Sequence, residues 1–198
     1  MAKNCFTICI DMDDTIENLV DAWVAWLNKA HNLSVSVEDI KCWDIKMAFP
    51  SLSEEQIYTP LYITEFWKTV TPKPDAIKYV DQLVKDGHDV FICTSAHYQT
   101  IQPKMDEVLL KFFPCITWRN IITIHTKQMI KCDIMIDDGC HNLENGDYIK
   151  ILFDAPWNRS YNETEQGMKR VKSWEEIYNT IKDLDWFYAC KGLDTVDY

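Results

Sequence analysis

Three apolar runs of this chain end in residues that can do chemistry. "FTICIDMDDT" ends in Asp11, Asp13 and Asp14, "VFICTSAH" in Thr94 and Ser95, and "CDIMIDDG" in Asp137 and Asp138. A lysine, Lys127 or Lys131, precedes the last acidic pair. If the three runs are strands of one parallel sheet, their carboxyl ends share an edge, and open sheets bind ligands beyond that edge. Carboxylates gathered there repel one another and are neutralised or expelled unless a cation holds them. A hard divalent ion meets that need, and Mg2+ is the usual choice where phosphate is also bound. Each residue taken alone has a plainer account. An acidic residue at a strand end is commonly a cap or turn residue, Asp14 among them, and Thr94, Ser95 and either lysine are ordinary surface types. Co-occurrence at three strand ends selects the phosphoryl-transfer chemistry.

The surrounding pattern supplies the elements that must position these groups. After the first strand, "NLVDAWVAWLNKAHN" repeats Leu19, Trp23, Trp26, Leu27 and Ala30 at helical spacing. Residues 34 to 70 read as short helical pieces rich in Trp, Tyr and Phe, interrupted by Pro50 and Pro60, with no strand. "VTPKPD" then biases the chain to an extended linker, and Pro74 and Asp75 open a helix. That helix places Ile77, Val80, Leu83 and Val84 on one face and stops at Gly87. Strand "DVFICTSAH", a helix through Met105, Val108, Leu109 and Phe112, and strands "IITI", "CDIMIDDG" and "YIKILFDAP" follow. The last helix starts at "SWEE" with Ser173 and Glu176 as a capping box. Alternating strands and helices predict an α/β fold, a Rossmann-like parallel sheet with helices on both faces. Residues 1–15 and 74–198 form the expected core, and residues 16–73 a small helical cap inserted after the first strand.

Composition narrows the partners. The 198 residues are 47% hydrophobic and 13% aromatic, with eight tryptophans, enough for a core and an aromatic-lined pocket. The net charge of -11 argues against a nucleic-acid polymer and against an anionic membrane surface, since neither finds a basic stripe to hold it. A small anionic ligand needs local compensation from a metal, a lysine or helix N-termini. The eight cysteines are scattered without a CxxC pair, and Cys132, Cys140 and His141 read as buried or loop residues before metal ligands. No apolar leader follows Met1 and no run is long enough to span a bilayer, so a cytoplasmic protein with free thiols is expected. Oligomeric state, a homodimer included, is left open.

The motifs resemble those of a known family. "DMDDT" is similar to the nucleophile motif DxDx[TV] of the haloacid dehalogenase superfamily, "ICTS" to its hydroxyl motif, and "KQMIKCDIMIDD" to its lysine followed by an acidic pair. Within that superfamily the chain resembles the 5'(3')-deoxyribonucleotidases and their bacterial relatives. The likeness lies in "FICTS", in the eleven-residue step from Lys127 to Asp138, and in the helical insertion after the first motif. It implies that Asp11 attacks phosphorus and becomes an aspartyl-phosphate, while Asp13 protonates the leaving oxygen and later deprotonates water. It implies Mg2+ held by the Asp11 carboxylate, the Asp13 backbone carbonyl and Asp138, with Asp137 supporting from outside. Thr94 and backbone N–H groups near Met12, Asp13 and Ser95 would bind phosphoryl oxygens, and family spacing selects Lys127 over Lys131 to neutralise charge. Asp14 stands where the mammalian enzymes have glycine, and Leu19 where they have an aromatic residue near the base.

The cap would close over the crevice and read the substrate beyond its phosphate. Trp43 and Ile45 in "CWDI" are the candidates for base contacts, against the plainer account of cap core, and Asn158 and Arg159 of "FDAPWNR" lie on the ligand side. A nucleoside monophosphate is the expected substrate and another small phosphate ester the alternative. A non-hydrolytic phosphoryl receiver is disfavoured by motif order, because receivers carry the acidic pair on the first strand.

Overall fold

The computed structural model describes residues 5–193, with side chains described as far as residue 184. Six strands, β1 (Thr7–Ile10), β2 (Asp89–Thr94), β3 (Ile121–Thr123), β4 (Ile134–Asp137), β5 (Ile149–Phe153) and β6 (Met168–Val171), form one sheet in the order β3-β2-β1-β4-β5-β6. Every pairing is parallel. β1 therefore lies between β2 and β4, and the three strands whose ends carry the polar residues are immediate neighbours. Chain order reverses at β1, which places the switch point of the sheet beside Asp11.

Alternation along the strands divides the core. Ile8, Ile10, Ile92, Ile134, Ile136 and Ile151 face one side and join a large cluster with Trp23, Leu27, Phe66, Trp67, Val80, Leu83, Trp174 and Ile177. Cys9, Cys93, Met135 and Leu152 face the other side, with Leu143 and Met168. Helices α1 (Leu19–His31), α4 (Ala76–Lys85) and α8 (Trp174–Leu193) contribute to the large cluster. The opposite face is covered by α7 (Cys140–Leu143) and the turns around it. Buried strands with both faces covered have no polar side, which is why β1, β2 and β4 read as continuous apolar runs.

Between β1 and α4 the regular elements are all helical: α1, the single-turn 3-10 segments Val37–Asp39 and Ile45–Ala48, α2 (Glu54–Tyr58), the 3-10 turn Thr59–Tyr62 and α3 (Thr64–Trp67). The segments leading in and out pair at a neck, where Asn18 N–H donates to the Thr71 carbonyl (2.9 Å) and Lys73 N–H to that of Ile16 (2.9 Å). The buried side chains of α1 are Leu19, Trp23, Val24 and Leu27, whereas Ala30 is exposed, because the stripe turns through Val24. α4 buries Ala76, Tyr79, Val80 and Leu83, and Ile77 is exposed. Tyr79 replaces Ile77 on the inward face because its ring packs against Tyr178 of α8 (5.3 Å).

β6 has no counterpart in the sequence expectation. "MKRV" is short, and its buried residues are only Met168 and Val171, so it carries too little apolar signal. The helix expected through Met105 starts as α5 (Ile101–Lys104), widens to a π-helical turn over Met105–Leu109 and closes as α6 (Leu110–Phe112). No described helix is long and apolar enough to cross a membrane.

Because the insertion and the sheet share one hydrophobic cluster, they are expected to unfold together. Trp67→Ala, at a side chain buried to 2% exposure, should cost about 3–5 kcal/mol and retain a single transition in chemical denaturation followed by fluorescence and far-UV dichroism. Two separated transitions would contradict the shared core.

Candidate active site

The ends of β1, β2 and β4 converge as their adjacency requires. Asp11, directly after β1, donates its backbone N–H to the Ile136 carbonyl (2.8 Å), which locks its position against β4. Asp11, Asp137 and Asp138 are all buried, and each offers a carboxylate oxygen within 4.8 Å of the others. Among the described residues this is the one group of three or more such side chains able to hold a metal, and the cysteines and His141 are not part of it. Lys127, fully buried in the 3-10 turn Lys127–Met129, donates to Asp11 Oδ1 and to Asp137 Oδ2 (2.6 Å). Lys131 has no place in this group.

The two members of the later acidic pair are held differently. Asp137 is saturated: Oδ2 takes Lys127, while Oδ1 accepts from the Gly139 N–H (2.8 Å) and Asn142 Nδ2 (3.0 Å). Asp138 is looser, with Trp157 Nε1 donating to Oδ2 (2.7 Å) and only the Thr15 hydroxyl, at 3.4 Å, near Oδ1. Asn158 is a structural pin, donating Nδ2 to the carbonyls of Asp138 (2.9 Å) and Phe153 (2.7 Å). Arg159 points away from the acidic group to Glu38 (2.7 Å) and Asp154 (3.0 Å), tying the insertion to the loop after β5.

Burial and mutual repulsion dominate the electrostatics. Burial pushes the Asp11 carboxyl up to about 7 despite Lys127, with Asp137 and Asp13 adding to the rise. Burial, then Asp137 and Asp11, drive Asp138 well above the carboxylate range. Burial opposes the charge on Lys127, but Asp11 and Asp137 outweigh it and raise its pKa. Three carboxylates against one ammonium leave two uncompensated negative charges, the charge that a divalent cation would balance. The all-oxygen donor set suits a hard ion. The residues therefore fit such an ion.

A second ion pair lies alongside. Lys104, the last residue of α5 and 1% exposed, donates Nζ to Asp13 Oδ2 (2.6 Å) and to Thr94 Oγ1 (2.7 Å). Burial alone would raise the Asp13 carboxyl, but Lys104, a hydrogen bond with Glu17 and the more distant Lys127 together outweigh it and hold Asp13 below the usual range. Glu17 is fully buried beside Asp13: neither of its oxygens, nor Asp13 Oδ1, meets an N–H or hydroxyl donor among the described residues, and the two carboxyls pair with each other. Burial and the neighbouring Asp13 charge push Glu17 well above its ordinary value. Asp14 adopts φ 54°, a left-handed conformation that glycine takes without cost, and its carboxylate accepts from the Val20 N–H (3.2 Å) at the start of α1. Its side chain is buried, and burial raises it to about 7.

A cavity of about 390 Å³ opens from Asp13 toward the insertion. Leu19, Trp43, Ile45 and Ser95 line it together with Trp23, Tyr58 and Trp157. Leu19 and Ile45 are buried walls, whereas Trp43 is 56% exposed at the rim, edge-on to His141 with ring centroids 4.8 Å apart. Ser95 is exposed, with its hydroxyl 3.2 Å from His125 Nδ1.

Sequence reasoning passed over Lys104, Glu17 and Trp157. A signal for Lys104 existed, because it shares a helical face with Val108, and a lysine in an apolar stripe needs a buried partner. Glu17 and Trp157 lie in irregular segments where no periodicity marks them.

Comparison with known proteins gives a consistent result. The model of the family described as "5' nucleotidase, deoxy (Pyrimidine), cytosolic type C protein" matches residues 4–185. A 5'(3')-deoxyribonucleotidase of Bacillus subtilis is 36% identical over 172 residues, spanning 86% of this chain and 95% of its own. One from Clostridium acetobutylicum is 33% identical over 181 residues, spanning 90% and 97%. Among solved structures, a haloacid dehalogenase-like hydrolase of Streptococcus pneumoniae superposes with a TM-score of 0.65 at 15% identity, covering 89% of this chain and 98% of that one, a likeness of fold. With the motifs on adjacent strand ends of that fold, the chain belongs to the family described as "5' nucleotidase, deoxy (Pyrimidine), cytosolic type C protein" and is a hydrolase, a nucleotidase-like phosphatase.

Proposed function

We propose that the protein is a Mg2+-dependent phosphomonoesterase that hydrolyses deoxynucleoside 5'- or 3'-monophosphates through an aspartyl-phosphate on Asp11. One observation carries the reading: the buried Asp11, Asp137, Asp138 and Lys127 group adjoins Asp13, at the mouth of an aromatic-walled cavity large enough for a nucleobase and sugar. The names of the relatives support the substrate class.

In this reading residues 16–73 act as the cap over a core of residues 1–15 and 74–198. Asp11, Asp138 and the Asp13 backbone carbonyl would hold the ion, and Asp137, already saturated, would orient Lys127 instead. Bound Mg2+ would balance the carboxylates and the phosphoryl oxygens. Lys127 helps keep Asp11 ionised, and Asp11 attacks phosphorus as the ester P–O bond breaks. Asp13 gives its proton to the leaving oxygen, then takes one from the water that displaces Asp11 from phosphorus. Lys104 favours the ionised form of Asp13 in the free site, and an arriving phosphate dianion opposes it by like-charge repulsion. The same carboxyl is therefore an acid when the crevice is filled and a base after the leaving group departs. Thr94 and nearby backbone N–H groups receive the phosphoryl oxygens, and Leu19, Trp43 and Ile45 contact the base.

The test is phosphate release with Mg2+ or EDTA from 5' and 3' deoxynucleotides and a panel of sugar phosphates. Metal-dependent release from deoxynucleotides is expected, and release from sugar phosphates alone would remove the nucleotide assignment. Asp11→Asn should lower kcat by more than about 10⁴-fold with the fold intact. Asp13→Asn should lower nucleotide turnover by about 10²- to 10⁴-fold. Trp157→Phe keeps the cavity wall but removes the donor to Asp138, and should weaken Mg2+ binding by about tenfold in calorimetric titration without substrate.

A further inference from the structure

Lys104 belongs to none of the motifs that identify the family. Its ammonium is nonetheless buried between Asp13 Oδ2 (2.6 Å) and Thr94 Oγ1 (2.7 Å), with the Trp67 ring centroid 5.8 Å away. It sits where α5 passes into the π-helical turn Met105–Leu109. A π turn adds a residue to one coil of the helix, and such turns recur at functional sites. Met105, Val108 and Leu109 still pack into the core, so the helix carries Lys104 inward as part of its buried face.

The chemistry of an ammonium constrains both partners. It has three N–H donors and no acceptor. Thr94 Oγ1 must therefore accept from Lys104, and the single hydroxyl hydrogen of Thr94 is left to donate elsewhere. The same ammonium occupies Oδ2 of Asp13. A proton carried by Asp13 then belongs on Oδ1, the oxygen that meets no N–H or hydroxyl donor among the described residues, with the Glu17 carboxyl beside Asp13.

We propose that Lys104 is the positioning residue of the acid/base step, one buried ammonium that, braced on Thr94 Oγ1, occupies Asp13 Oδ2 and leaves Oδ1 to carry the proton. The inference rests on the phosphatase reading above. As the ester P–O bond breaks, the proton on Asp13 Oδ1 passes to the leaving oxygen and Asp13 becomes a carboxylate paired with Lys104. When water later attacks the phosphorus of the aspartyl-phosphate, its proton returns to Asp13 and the P–O bond to Asp11 breaks. Lys104 touches no reacting atom. It acts through Asp13.

A residue that works through the acid is felt only where the leaving group needs a proton. The alkoxide of a nucleotide ester needs one, and p-nitrophenolate leaves without it. The test is kcat/KM of wild type, Lys104→Met, Asp13→Asn and the double variant on dTMP and on p-nitrophenyl phosphate, with Mg2+. This parameter covers the steps through ester cleavage. Its ratio between two substrates of one preparation is independent of the fraction folded. Lys104→Met should lose about 100-fold on dTMP and less than about threefold on p-nitrophenyl phosphate. The double variant should match Asp13→Asn on dTMP, because two residues acting as one unit are not additive. Equal losses on both esters, or additive losses in the double variant, would overturn the inference while leaving the phosphatase reading standing. Removing the charge alone would make Asp13 easier to protonate, so an unchanged or raised dTMP value would also overturn it. A wild-type protein that cleaves neither ester would overturn the phosphatase reading, and this inference with it.

Discussion

Everything at the sheet edge depends on one buried cation. Lys127 has no exposure to water, and its ammonium spans the end of β1 at Asp11 and the end of β4 at Asp137. An ammonium in that position would be expelled without both carboxylates, and the carboxylates would take up protons without it. The pairing also leaves Asp137 the more heavily hydrogen-bonded of the acidic pair, since its other oxygen accepts from Gly139 and Asn142. Asp138, adjacent in sequence, is left as the carboxylate with an oxygen to spare. Two neighbours of the same chemical type are thus held in different surroundings.

The same device is used twice. Lys104 and Asp13 repeat, beside β2, what Lys127 and Asp11 do beside β4, and the two pairs flank the tip of β1. Opposite charges placed in a low-dielectric crevice fix geometry more tightly than they stabilise the fold, because desolvation offsets much of the attraction. The site is therefore cross-linked by ion pairs at the strand ends and open toward the insertion. There Leu19, Trp23, Ile45, Tyr58 and Trp157 supply large cavity walls, and Trp43 stands exposed at the rim with Asp44 and Ser95.

The insertion is bound to this edge by more than its covalent neck. Trp67 of α3 lies in the core cluster, and Arg159 links Glu38 to the loop after β5. Trp157 joins the two regions at closest quarters, as a wall of the cavity and as the donor that holds Asp138. A change in what fills the cavity is therefore one side chain away from the acidic group.

The motif strands, the polar residues at their ends and the long amphipathic helices were legible in the sequence because each is a local pattern: an apolar run, a 3.6-residue period, or a fixed step such as Lys127 to Asp138. Where the local signal was thin the reading failed. β6 offers two buried residues in four, and α4 buries Tyr79 in place of Ile77 because a partner ring arrives from α8, more than ninety residues away. Lys104 was visible as an anomaly in an apolar stripe, but nothing local names its partners, which come from β1 and β2. The left-handed turn at Asp14 is one that glycine favours, and its carboxylate is buried where it accepts from the Val20 N–H at the start of α1. Sequence alone determined which groups are available and that a parallel sheet would bring three strand ends to one edge. Only the tertiary structure decided which lysine meets which carboxylate, which acid of a pair stays free and what walls the cavity. Those outcomes depend on distances between segments far apart in the chain, where charge and burial act through space and leave no periodicity behind.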